Sequence, residues 1–262
     1  MSGESKALTY TSYLALDEIL GAQRPRSDEH DEILFIVVHQ VYELWFKELL
    51  HELGHLQRLL EEGQGSPALS TLKRILTILK VQVAQIDILE TMSPISFLSF
   101  RARLESASGF QSPQFRELEF VLGRRNARMV AHHGGTPAAR RLERRLTEPS
   151  LWDIFVRCLA RHGCAVPADL LARDLSQSNP ESPELQPHLV EIYRSRPDLA
   201  QVCERLVDLD EGIQEWRYRH VKMVERTIGT KPGTGGSSGV EYLRATLFQP
   251  LFPDLWAIRA AL

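Results

Sequence analysis

DEILFIVVHQVYELWFKELLHELGHLQRLLEE, residues 31–62, repeats apolar side chains at three- and four-residue spacing throughout. Phe35, Val38, Tyr42, Trp45, Leu49, Leu53 and Leu56 fall on one stripe, because a helical turn takes 3.6 residues. The front half is apolar on nearly every side. A helix tolerates that only when neighbours surround it, so this segment is expected at the centre of the core. His39 interrupts the run, one turn after Phe35 and one before Glu43.

Outward from this segment the same rhythm recurs. Residues 70–91 carry Leu72, Ile75, Leu79, Val83, Ile86 and Leu89 on one stripe, behind turn residues 63–67. A short connection between two long helices makes them antiparallel neighbours. Shorter helices are expected at 97–104, 113–122, 137–146 and 150–161, followed by a proline-rich surface stretch at 174–187. Residues 197–228 form the last long helix, with Leu206, Leu209, Ile213, Trp216, His220, Val224 and Thr227 in a heptad-like rhythm. Strand-like alternation is nearly absent, and no internal repeat stands out. The expectation is an all-α fold, a single-domain bundle of long antiparallel helices. The chain of 262 residues suffices to bury roughly 75% of its unfolded surface.

Composition excludes several functions. With 43% hydrophobic and 25% charged residues, no run of 18 apolar residues and no charged-then-apolar leader, the chain reads as soluble and cytoplasmic. The net charge of −3 lacks the concentrated positive field that nucleic acid requires, and the basic cluster at 140–145, broken by Leu142 and Glu143, reads as a solvated helix face. Neither a nucleic-acid nor a membrane partner is expected. Cys158, Cys164 and Cys203 are odd in number and share no ligand spacing, so they read as reduced thiols rather than as a disulfide framework or zinc site.

The segment WRYRHVKMVERTIGTKPGTGGSSG, residues 216–239, runs from helix into a glycine-rich loop. Gly233, Gly235 and Gly239 are spaced one residue too widely for a dinucleotide fingerprint, and a helix precedes them instead of a strand. A phosphate loop ending in Gly-Lys-Ser/Thr is also missing. Two readings remain. The loop either merely ends the helix, or gathers its N–H groups and the hydroxyls of Thr234, Ser237 and Ser238 around a polar group. His220 stands where its stripe calls for an apolar residue, and His39 lies among bulky apolar neighbours; each is either a hydrogen-bonded core histidine or a ligand. A non-haem metal wants a further carboxylate or thiolate, whereas haem iron needs only one proximal histidine. A haem slot between helices is consistent with these two residues. In SFRARLESASGFQS, residues 99–112, Arg101 is either a surface arginine or a bidentate clamp for a carboxylate. Tyr10, Tyr13 and Leu14 share one face of an N-terminal helix, a packing face by spacing.

Taken together, LTYTSYLALDEILGAQ (8–23), HDEILFIVVHQVYELWFKELLHEL (30–53), LETMSPISFLSFR (89–101), SASGFQSPQFRELEFVLG (106–123), and WRYRH with RTIG and GTGGSSG (216–239) resemble the tryptophan 2,3-dioxygenase family, in that family's order. The similarity covers about half the chain and is weak over 123–200. It implies an all-helical protein enclosing haem b, active as Fe2+, assembled as a homotetramer. It also implies that O2 as co-substrate is inserted across the indole C2–C3 bond of L-tryptophan, giving N-formyl-L-kynurenine. On this resemblance His220 is the axial ligand of the haem iron and His39 the catalytic histidine facing the indole N–H. Arg101 binds the substrate carboxylate, Phe35, Phe97 and Leu104 wall the indole, Thr234 helps hold the amino-acid end, and Ser108 is the small residue near the haem's distal side. Tyr10, Tyr13 and Leu14 reach into a neighbouring subunit's pocket, so residues 1–28 form an arm and 29–262 the catalytic domain.

Two departures from the family pattern keep a second reading open. Ala102 stands where relatives usually carry an acid after the arginine, and Glu105-Ser106 replaces a small residue followed by proline. The alternative is a haem enzyme of the same fold that transfers one oxygen atom to a substituted tryptophan or indole. A reading from another class is a haem-binding sensor or carrier without turnover.

Overall fold

The computed structural model describes residues 7–236 and 238–262, so Ser237 of the glycine-rich loop lies outside the described residues. Two short helices, α1 (Tyr10–Tyr13) and α2 (Leu16–Leu20), precede the long α3 (His30–Glu61) and α4 (Gly65–Leu89). Shorter helices follow: α5 (Pro94–Arg101), α6 (Pro113–Val121), α7 (Ala127–Ala131), α8 (Pro137–Thr147), α9 (Leu151–Arg161), α10 (Ala168–Leu171) and α11 (Gln186–Ser195). The second helix of α3's length, α12 (Pro197–Ile228), leads to α13 (Val240–Arg244) and α14 (Pro253–Ala257). The described residues contain no strand.

Local chemistry sets most of these boundaries. Ser93, Ser112 and Thr136 each cap a helix whose first residue is proline, accepting a backbone N–H while the ring supplies the helical φ angle. Ser150 and Asp153 form a reciprocal capping box at the start of α9. The helix expected from residue 70 begins instead at Gly65, because Pro67 falls in the first turn, where its missing N–H is not needed. The helix expected over 97–104 begins at Pro94 and ends at Arg101, and Ala102–Leu104 forms a separate 3-10 turn. Within the proline-rich stretch, Leu185 is fully buried and Gln186 already opens α11.

Three helices make the core. α3 and α4 run antiparallel: Gln85 donates to the Val38 carbonyl (3.0 Å), Tyr42 to the Gln82 carbonyl (2.6 Å), and Arg74 pairs with Glu52 (2.8 Å). α12 is antiparallel to α3, bringing Trp216 against Tyr42 and Phe46. It therefore runs parallel to α4, with Gly212 facing Leu79, Arg219 paired with Asp87 and Arg226 with Glu90. Parallel neighbours need a long crossover, and the chain between α4 and α12 supplies it with α5 to α11. Leu49, Leu53, Leu56, Leu72, Ile75, Leu79, Leu206 and Leu209 fill the seam. Phe46 is buried where the stripe named Trp45, which is only partly covered. Among the described residues no helix is long and apolar enough to cross a membrane.

Candidate functional site

At one end of this core the helices diverge. The first half of α3 and the C-terminal ends of α4 and α12 bound a cavity closed by α5, α6, α13 and the glycine-rich loop. His39, Phe97, Arg101, Ser108, His220 and Thr234 all line it.

His220 comes from α12, one turn after Trp216. The two rings stack at 5.2 Å between centroids and 4° between planes. Trp216 is braced by Phe115 (5.1 Å), Tyr42 and Phe46 (6.2 Å each), so the imidazole rests on a fixed aromatic wall. No hydrogen bond to either His220 nitrogen occurs among the described residues. Burial, and after it the nearby His39, push its pKa down to about 4, so the ring is neutral at neutral pH. A neutral, unpartnered imidazole is a metal-ligand form.

His39, on α3, is held differently. Its Nδ1 lies 2.7 Å from the Phe35 carbonyl, one turn back. A carbonyl oxygen only accepts, so Nδ1 carries the proton and neutral His39 keeps its lone pair on Nε2. Burial lowers its pKa, against the opposing pull of the Phe35 carbonyl and Glu43. Phe35 packs on the ring at 4.1 Å.

Arg101 ends α5 and donates from Nη2 to the Pro232 carbonyl (2.7 Å). No carboxylate pairs with it among the described residues. Thr234 donates from Oγ1 to the Ala107 carbonyl (2.7 Å). A Cβ on Gly235 would stand 2.7 Å from Ser108 Cβ, so only glycine lets the loop lie this close to residues 107–108. Gly239 is at φ +67°, where a Cβ would press on the Lys231 carbonyl. The loop therefore lies over the segment carrying Arg101 and Ser108. Ala102 is exposed, and the support that an acidic neighbour could give Arg101 comes from the Pro232 carbonyl.

Not every residue singled out in the sequence lines this cavity. Phe35 and Leu104 pack behind it against the core. Tyr10, Tyr13 and Leu14 are exposed on α1 and its C-cap, away from the cavity of their own chain. Sequence reading missed Arg116, Glu119 and Arg217, which form a charged wall of the cavity, and Phe110, Phe115 and Tyr242. Arg217 is masked in sequence by the neighbouring arginine and histidine of WRYRH, and its partner Glu119 is 98 positions away. Arg116 sits in SPQFRELEF among other polar residues and gave no signal in the sequence. The three cysteines are free thiols, with burial raising each thiol pKa. Among the described residues no three His, Cys, Asp or Glu side chains cluster to hold a metal.

Comparison with known proteins reveals one family. The profile described as tryptophan 2,3-dioxygenase matches residues 1–179 and 185–262. A protein of Anaeromyxobacter sp. (strain K) named tryptophan 2,3-dioxygenase is 61% identical over 262 residues, covering 100% of this chain and 98% of its own length. Proteins of the same name from Herpetosiphon aurantiacus and Caulobacter vibrioides are 58% and 47% identical, over 98% and 97% of this chain and 100% and 98% of their own lengths.

Proposed function

The chain belongs to the tryptophan 2,3-dioxygenase family, and from this premise we propose that it is a haem-dependent oxidoreductase. It inserts O2 across the indole C2–C3 bond of L-tryptophan to yield N-formyl-L-kynurenine. The observation that carries this reading is His220, a neutral imidazole without a hydrogen-bond partner in a cavity that also holds His39 and Arg101.

These residues fit an iron porphyrin. The cavity offers in His220 an imidazole with no hydrogen-bond partner, and no rival cluster of three ligands among the described residues, which suits a metal whose remaining ligands come from a macrocycle. His220 holds the iron, and ferrous haem b, when bound, supplies the activation of O2. Arg101, with no internal carboxylate, takes the substrate carboxylate as a charge-assisted pair. Thr234 and the loop close over the amino-acid end. His39 presents Nε2 as an acceptor for the indole N–H, and Phe97, with Phe35 behind it, bounds the ring. Together these contacts hold the indole in one orientation and exclude water, the source of much of the rate in such a site. Ser108 keeps its corner small and is the surface on which the loop rests.

Tyr10, Tyr13 and Leu14 complete the pocket of a neighbouring subunit in a homotetramer built as a dimer of dimers, with 1–28 as arm and 29–262 as catalytic domain. In support, α1 and α2 bury no residue of their own, and Tyr10 and Tyr13 are 76% and 71% exposed. The free thiols suit the reducing cytoplasm.

The test is product mass. Haem-loaded protein, reduced without air and then given L-tryptophan and 18O2, is expected to form N-formylkynurenine carrying two labelled atoms. One labelled atom would establish the monooxygenase alternative, and unchanged substrate beside intact haem a sensor or carrier.

A further inference from the structure

Met92 and Met223 bring two thioethers to the cavity wall, and neither takes part in holding or orienting the substrate. Met223 stands three residues after His220 on α12, so the two share a helix face. Met92 lies in the turn between α4 and α5. Around them Ile86, Leu89, Val224 and Ile228 make the wall aliphatic and inert to a peroxide. A thioether is not inert, because its sulfur lone pair takes up oxygen to give a sulfoxide. Met129 supplies the contrast. It is 8% exposed, as is Met223, yet it packs with Phe120 and Leu142 in a separate small cluster and does not border the cavity. Equal burial therefore conceals unequal access to anything small that enters the cavity.

Met223 also has a donor beside its sulfur. Thr227, one turn further along α12, donates from Oγ1 to the Met223 carbonyl (2.7 Å), and the same hydroxyl lies 3.8 Å from Met223 Sδ. A thioether is a weak acceptor, so the carbonyl keeps the proton. A sulfoxide oxygen is a far stronger acceptor and competes for it. We propose that Met223 is a peroxide-sensitive oxidation site, whose conversion to the sulfoxide weakens the binding of porphyrin at His220. Met223 Sδ attacks one oxygen of hydrogen peroxide, an S–O bond forms and the O–O bond breaks. Sulfur gives up two electrons, and the second peroxide oxygen leaves as water after taking the proton of the first. The consequence follows from packing: the added oxygen makes an apolar wall polar and larger, one turn from the axial ligand, on a close-packed surface that has no room for it. This rests on the haem reading of the cavity and adds to it a redox control of cofactor retention.

Peptide mass and porphyrin affinity test the two halves of the proposal. The full-length, haem-free chain is treated with limiting hydrogen peroxide, mapped for added oxygen after digestion, and titrated with ferric protoporphyrin IX by its Soret band. Met223 is expected to gain one oxygen about tenfold or more faster than Met129, while circular dichroism stays helical. Porphyrin affinity is expected to fall about tenfold or more as Met223 oxidation nears completion. Met223→Leu, a volume-conserving change, is expected to keep its own affinity through the same treatment. Oxidation of Met129 as fast as Met223 would overturn the site, and this arm needs no variant, so it decides even if Met223→Leu does not fold. Complete oxidation of Met223 with unchanged porphyrin affinity would overturn the control and leave the haem reading standing. An equal fall of affinity in treated, folded Met223→Leu would also overturn it, placing the damage on another group of the wall such as Trp216. Failure of the untreated chain to bind porphyrin would overturn the haem reading and this inference with it.

Discussion

His220 makes no hydrogen bond among the described residues, yet it is fixed by the parallel Trp216 ring. Its role can therefore be removed without unpairing another group. His220→Ala is expected to leave the helical circular dichroism unchanged and to abolish the Soret band of the reconstituted protein; a full Soret band would refute the ligand assignment. In the proposed scheme His39 acts through a single neutral hydrogen bond, of net value about 0.5–1.5 kcal/mol. His39→Ala should then lower kcat by about tenfold or less, without abolishing turnover. Arg101 offers two parallel donors that a lysine cannot reproduce. Arg101→Lys is expected to raise KM for tryptophan by roughly 10- to 100-fold, matching a charge-assisted contact of about 1.5–3 kcal/mol, and to leave tryptamine unaffected.

Among the elements, the glycine-rich loop depends on one close approach. The Cβ introduced by Gly235→Ala meets Ser108 Cβ at 2.7 Å, so the loop must lift and KM for tryptophan should rise. Ser108→Gly removes the opposing atom, and the double variant is expected to recover much of the lost affinity. Elsewhere, α9 is joined to the segment after α10 by Asp153 and Arg173, paired at 2.6 and 2.9 Å, with Ser150 donating to the same carboxylate. Burial alone would raise the Asp153 pKa, but Arg173 and Ser150 outweigh it and hold the carboxyl below its ordinary value. Protons thus bind the unfolded chain more readily, so this pair stabilises the fold above about pH 4 and the contribution fades as pH falls further. Asp153→Asn should reduce urea stability at pH 7 by about 3–5 kcal/mol, and the gap from the parent should narrow below pH 4.

For the whole molecule, the arm proposal predicts complementation between subunits. A variant lacking residues 1–28 keeps its cavity, whereas His220→Ala keeps its arm. Each alone is expected to be inactive or nearly so, and refolding them together should restore a fraction of the activity. No recovery from mixed oligomers verified by size and mass would refute the shared pocket.

Helix content, most helix starts and most of the buried stripes were legible in the sequence, because i to i−4 hydrogen bonds, Ser/Thr-Pro caps and 3.6-residue periodicity are local. His220 and His39 were visible as interruptions of apolar runs. Their chemistry was not, since an imidazole in a core sequence looks alike whether bonded or free. Only the tertiary structure decided that α12 crosses back parallel to α4, that Arg217 finds Glu119, that the loop rests on residues 107–108, and that Phe35 and Leu104 stand behind the cavity. Each of those contacts joins residues far apart in the chain, and is selected by which surfaces fill space together rather than by any spacing along the backbone.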